Sequence, residues 1–138
     1  MILILEDNED RISQFKAAAS QIAPNIPVRF WRNAHEMIAD LVGGLEKASV
    51  ISLDHDLIPP PGDSTDPGTG YDVAKLLGEL IPCCPIIIHT SNADRGLWME
   101  GALARAGWLY ERVYPFGDRW IANEWARTLK KLLCAGAG

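Results

Sequence analysis

Val50-Ile51-Ser52-Leu53-Asp54-His55-Asp56-Leu57 is an apolar run that ends abruptly in two carboxylates with an imidazole between them. The most irregular segment of the chain, residues 58–70, follows at once. Short runs of branched apolar residues suit strands covered on both faces of a sheet. Where such a strand stops at charged groups, it delivers them to the rim. In an open parallel sheet, ligands bind just beyond the carboxyl ends of the strands. Asp54, His55 and Asp56 are therefore the first candidates for chemistry.

The same pattern recurs on either side. Met1 to Leu5 is a short apolar run that stops at Glu6-Asp7-Asn8-Glu9-Asp10. Glu9 and Asp10 read as the acidic start of a helix, whose Ile12, Phe15, Ala19 and Ile22 recur at helical spacing until Pro24. Glu6 and Asp7 lie nearer the strand tip, where they can serve a ligand. Residues 26–31 read as a second strand, and Asn33 and Glu36 have capping-box spacing for the helix after it. His35, in that helix's first turn, is expected to be exposed. The loop at 58–70 lacks periodicity and is dense in turn formers. A third helix should start at Gly70-Tyr71-Asp72-Val73 and run to Pro82.

Pro85 to Ile88 makes a fourth strand that ends in His89-Thr90-Ser91-Asn92. A helix follows over residues 95–106, then a fifth strand over 109–114, then a last helix capped by Asp118. Strands alternating with helices imply a three-layer α/β fold: a five-stranded parallel sheet with right-handed crossovers and helices on both faces. The common strand order for such a chain is 2-1-3-4-5, as in flavodoxin-like folds, with a switch point between the first and third strands. That order brings Glu6, Asp7 and Asp54 to one rim, with Thr90 close by. One domain over 1–134 is expected, with 135–138 as a flexible tail.

Composition narrows the function. With 138 residues, 48% hydrophobic and 22% charged, the chain suits one ordinary folded domain. A net charge of −5 argues against an extended nucleic-acid or anionic membrane surface. No apolar run approaches the ~20 residues that cross a bilayer, and no signal peptide is evident. Cys83, Cys84 and Cys134 lack metal-type spacing; the adjacent Cys83 and Cys84 read as small buried residues, and the setting as reducing and cytoplasmic. Trp98, Trp108, Trp120 and Trp125 read as core or interface, and Arg95 and Arg119 as the basic residues nearest the site.

Over nearly its whole length the chain resembles a response-regulator receiver domain. Glu6 and Asp7 match the acidic pair after the first strand, Asp54 the phospho-accepting Asp, and Thr90 the Thr or Ser that ends the fourth strand. The receiver's Lys before a Pro after the fifth strand is missing: Tyr114 precedes Pro115. The sequence is more similar to a divergent offshoot, the cyclic-phosphate-processing receiver-like family. Leu53-Asp54-His55-Asp56-Leu57, Thr69-Gly70-Tyr71-Asp72 and His89-Thr90-Ser91-Asn92 with Gly96 and Met99 carry that resemblance. It implies hydrolysis or transfer at a cyclic phosphate, at an RNA end or on a cyclic nucleotide. The alternatives are a stand-alone phosphoacceptor receiver with a protein partner, or a non-catalytic binding module.

The residue types agree with phosphate chemistry. Asp7, Asp54 and Asp56, with Glu6 beside them, offer hard oxygen ligands for a divalent ion such as Mg²⁺ or Mn²⁺. Nitrogen from His55 or His89 would extend the choice to Zn²⁺. Alternatively the two imidazoles act as general acid and base, or His55 merely orients a neighbour. Thr90, Ser91 and Asn92 are candidate phosphate donors, although Asn92 with Asp94 can equally be a helix start, and Asp72 a first-turn acid. Asp54 can hold the metal or attack as nucleophile.

Overall fold

Four short apolar runs and a more polar fifth form the sheet of this computed structural model, which describes residues 1–44 and 47–136. The strands are β1 (Ile2–Leu5), β2 (Val28–Trp31), β3 (Val50–Leu53), β4 (Ile86–Ile88) and β5 (Tyr110–Arg112). All pair in parallel in the order β2-β1-β3-β4-β5. The helices are α1 (Glu9–Ile22), α2 (Ala34–Gly44), α3 (Gly70–Leu77), α4 (Ala93–Arg105) and α5 (Ala126–Gly136), the last preceded by a π-helical turn at Ile121–Trp125. The expected flavodoxin-like architecture is present. Among the described residues no helix is long and apolar enough to cross a membrane.

The three central strands are buried along their whole length, and their alternate residues feed two cores. Leu3, Leu5, Ile51, Leu53, Ile86 and Ile88 pack with Met37, Leu77, Met99 and Leu103 of α2, α3 and α4. Ile2, Ile4, Val50 and Ile87 face the other way, onto Phe15 of α1 and the Trp120, Ile121, Trp125 and Leu129 stretch that leads into α5. Ser52 shares that second face, because it alternates with Ile51 and Leu53. Carried one step past the strands, the same alternation sends Glu6, Asp54 and His89 toward α1 and α5.

Several boundaries differ from expectation. β2 starts at Val28, because Pro27 supplies only its carbonyl, to the Ile2 N–H. α3 stops at Leu77, where Gly78 closes the helix five residues short of Pro82. Asp118 does not cap the last helix: the π-helical turn begins after Trp120 without a side-chain cap. α5 runs through Gly136, so residues 135 and 136 are helix rather than tail; the rest of the expected tail, 137–138, lies outside the described residues. Trp98 is half exposed, while Trp108, Trp120 and Trp125 are core. Cys83 and Cys84 are not the buried residues expected: Cys83 is exposed and Cys84 partly so, and Cys134 is exposed as well. Cys83 and Cys84 sit in the link between α3 and β4, outside any strand.

Candidate functional site

Glu6 and Asp54 reach the rim because their strands end one residue earlier. Glu6 follows β1 and is fully buried. Its Oε2 accepts from the backbone N–H groups of Asp7 (3.1 Å) and Asn8 (3.2 Å). Asp54 follows β3, keeps 6% exposure, and its Oδ1 accepts from the His55 N–H at 2.7 Å. Asp7 stands beside them, with Oδ2 accepting from the Ile58 N–H at 2.6 Å. That bond pins the start of the irregular loop over the acids. Asp7, Asp54, Asp56, Ser91 and the Ile58–Pro61 stretch then line a cleft of about 610 Å³.

The charge balance of this cleft is carried by a residue that sequence reading missed. Asn8 caps α1 by accepting from the Arg11 N–H at 3.0 Å, which places Arg11 in the first turn, facing the acids. Its guanidinium lies 3.8 Å from Glu6 Oε1 and 3.9 Å from Asp54 Oδ2, is a third exposed, and rests 5.4 Å from the centre of the Trp120 ring. The expected basic residues are elsewhere: Arg95 packs over Trp98 at 3.7 Å, and Arg119 is exposed. The signal available in the sequence was Arg11's position three residues after the capping Asn8.

Three converging carboxylates shift one another. Burial, and next the charge of Glu6, push the Asp54 carboxyl up to about 8; the His55 N–H and Arg11 offset only part of this. Asp7 is raised too, by burial first and also by Glu6, against the pull of the Ile58 N–H. Burial would raise Glu6 as well, but the His89 ring, the Asn8 N–H and Arg11 outweigh it and hold Glu6 below the ordinary glutamate range.

Beneath the cleft runs a buried polar chain. The Trp125 indole N–H donates to Ser52 Oγ at 3.0 Å, and Ser52 Oγ lies 2.7 Å from His89 Nδ1. An indole can only donate, so the hydroxyl accepts from it and its own proton is available to Nδ1. In that tautomer His89 carries its proton on Nε2, which lies 3.2 Å from Glu6 Oε1. That contact is off line, and neither Glu6 Oε1 nor His89 Nε2 has an aligned hydrogen-bond partner.

The remaining candidates divide. Glu6, Asp54 and His89 form a cluster whose ligand atoms all lie within 4.8 Å of one another. Among the described residues that cluster includes neither Asp7 nor Asp56. Asp56 is largely exposed and instead accepts from His55 Nδ1 at 2.8 Å and from Asn92 Nδ2 at 3.4 Å. His55 is buried against that carboxylate and His89 lies fully buried under the floor, so neither imidazole lines the cleft. Ser91 is exposed and lines it. Thr90 is buried, its Oγ1 accepting from the Asn92 N–H at 3.1 Å. Asn92 caps α4 by accepting from the Arg95 N–H at 3.0 Å, the helix-start reading. Asp72 closes a capping box with Thr69.

The fold has many known relatives. The chain superposes on the phosphorylated cyanobacterial phytochrome response regulator RcpA with a TM-score of 0.73 at 16% identity, covering 99% of this chain and 95% of that one. For a response-regulator receiver domain from Rhodospirillum rubrum the values are 0.70, 19%, 99% and 94%. For the signal receiver domain of a LuxO repressor protein from Vibrio parahaemolyticus they are 0.69, 16%, 99% and 91%. At such identities the likeness shows the fold alone. No curated protein sequence matches the chain. Residues 1–105 match the family described as Cyclic-phosphate processing Receiver domain.

Proposed function

The chain belongs to the family of cyclic-phosphate processing receiver domains, and on that premise we propose that it is a metal-assisted phosphoesterase that opens a cyclic phosphodiester. One observation carries the reading. Asp54 and Glu6 share their rim with the Arg11 guanidinium, from the start of α1, while Tyr114 stands where an ordinary receiver has its Lys. A cation supplied from α1 leaves the phosphate-binding side of the scaffold rearranged.

The donors fit a divalent ion. Glu6 Oε1 is a buried carboxylate oxygen without an aligned partner, and the Glu6 charge is a leading reason that Asp54 is raised. A cation between the two relieves both. With the His89 proton facing Glu6 the set is oxygen only, which favours Mg²⁺ or Mn²⁺; in the other tautomer Nε2 joins Glu6 and Asp54 and extends the choice to Zn²⁺. Bound there, the ion would neutralise phosphoryl charge and lower the pKa of a coordinated water.

The chain's own groups supply the rest. Arg11, a third exposed and backed by Trp120, takes a phosphoryl oxygen. The exposed Ser91 hydroxyl donates to another. Asp7, raised and lining the cleft, accepts the proton of the attacking water. The water oxygen bonds to phosphorus, one ring P–O bond breaks, and the proton passes to the leaving sugar oxygen, giving a phosphomonoester. His89 acts at a distance, as a brace for Glu6, and His55 holds Asp56.

The test is turnover of a nucleoside 2′,3′-cyclic phosphate with Mg²⁺ or Mn²⁺, followed by ³¹P NMR. Asp54→Asn should abolish it. Arg11→Ala, which removes one charge-assisted contact worth about 1.5–3 kcal/mol, should lower kcat/KM roughly 10- to 150-fold. A second reading rests on Asp54 Oδ2, which faces Arg11 beyond hydrogen-bond range and stays available to a phosphoryl group. In that reading Asp54 is a phosphoacceptor. Labelling of Asp54 by acetyl phosphate, with no turnover across metals and cyclic substrates, would favour it.

A further inference from the structure

Tyr114 and Phe116 are 45% and 74% exposed, yet their rings are parallel to within 10°, with centroids 5.8 Å apart. Two features hold them so. The Phe116 N–H bonds to the Tyr114 carbonyl at 2.9 Å, closing a three-residue turn around Pro115, whose ring locks its φ. Gly117, at φ 79°, then carries the chain away in a conformation open to glycine. The rings are therefore set by the backbone and not by a neighbouring core.

The pair is also tied to the end of β4, one residue before Ser91, which lines the cleft. The Arg112 guanidinium lies 4.7 Å from the centre of the Tyr114 ring, and it donates to the Thr90 carbonyl at 3.3 Å and to Glu100 at 3.0 Å. Gly96 makes room for it, since a Cβ there would stand 2.4 Å from an Arg112 nitrogen. β4 lies between β3 and β5 in the sheet, and two strand spacings put the tip of β5 about 10 Å from the tip of β3. Tyr114 and Phe116 follow that tip by two and four residues.

We propose that Tyr114 and Phe116 form a stacking platform for the nucleobase of the phosphate ligand, so that the substrate class is a nucleotide and not a base-free cyclic phosphate. This rests on the proposed function for the position of the phosphate. Every base offers a π-face, so the platform is tolerant of base identity, and base–aromatic stacking is worth about fivefold or more in affinity.

Calorimetric titration of the full chain with Mg²⁺ tests it, using adenosine 2′,3′-cyclic phosphate against the base-free glycerol 1,2-cyclic phosphate, with turnover followed separately. The base-bearing ligand should bind at least about fivefold tighter. Y114A/F116A should erase that advantage while leaving the base-free affinity unchanged. Phe116→Leu, which keeps an apolar side chain without a π-face, should also reduce it. Arg11→Ala should weaken both ligands alike. The same advantage in a trinucleotide ending in the cyclic phosphate supports the platform at an RNA end; its confinement to the mononucleotide supports it for a free cyclic nucleotide. Base-dependent binding without turnover supports the platform and rejects the esterase. Equal affinity for the two ligands, or a base preference that survives in Y114A/F116A, overturns the platform and leaves the esterase standing. Failure of the wild-type protein to bind either ligand overturns both.

Discussion

A carboxyl pushed up to about 8 keeps its proton through most of the neutral range, and Asp54 is in that position because burial and the Glu6 charge outweigh Arg11 and the His55 N–H. Unfolding returns it to the ordinary 3.8. Between those two values the folded state binds the extra proton, so the contribution of this group is greatest below pH ~4 and declines as pH rises toward 8. The slope from this one group reaches about 1.4 kcal/mol per pH unit. Asp54→Asn removes the titrating group. With metal chelated, the variant should be more stable than the wild type at pH 8, and the gap should close as pH falls toward 4. Urea midpoints across that range check it; a gap that widens on acidification would reverse the assignment. Ser52 and Trp125 hold the His89 ring beneath the floor of the cleft, beside Glu6.

The elements bring these residues together through helix starts more than through strands. The capping Asn8 turns Arg11 toward the acids, Asn92 turns α4 away from the rim, and Thr69 with Asp72 fixes the entry of α3. α3 enters so close to the tip of β3 that a Cβ on Gly70 would lie 1.8 Å from the Asp54 carbonyl oxygen, while the Gly70 N–H bonds to the His55 carbonyl at 3.0 Å. Gly70→Ala should therefore cost about 1–3 kcal/mol or more and weaken cation binding at Asp54. Gly43→Ala, in α2 with nothing within 4 Å, is the control and should be neutral or stabilising by about 0.5–1 kcal/mol. Denaturant midpoints of the pair decide it: equal shifts would mean that the approach at Gly70 relaxes freely. Alternation and apolar runs made the strands legible, along with their order and the acids at their tips. Arg11 was not legible, because a first-turn Arg looks the same whether it faces solvent or a ligand, and only the packing of Trp120 beneath it decides. Core and interface were not separable for Trp98, because helical spacing alone does not say that Arg95 covers its ring at the surface. The π-helical turn had no signal, yet it delivers Trp125 to Ser52.

At the scale of the molecule, a chain of net charge −5 concentrates three of its carboxylates at one rim and sets the partly exposed Arg11 guanidinium against two of them. Such an arrangement costs folding energy that a bound cation would return, since anything that binds the folded state alone stabilises it by mass action. At a hundredfold excess over its dissociation constant a divalent ion adds about 2.7 kcal/mol, which for a domain of this size is roughly 5–10 °C in Tm. Mg²⁺ or Mn²⁺ should raise the wild-type Tm by that order, and chelation should reverse it. The rise should be lost in Asp54→Asn, which is already relieved of the repulsion, but retained in Asp56→Asn, because Asp56 lies outside the converging set and is held by His55 and Asn92. A matched increase in ionic strength from NaCl should reproduce little of the effect, because screening acts weakly on charges this buried. Scanning calorimetry on the three proteins separates the outcomes. A rise that survives Asp54→Asn would place the cation elsewhere on the surface, and with it the phosphate chemistry assigned to this rim.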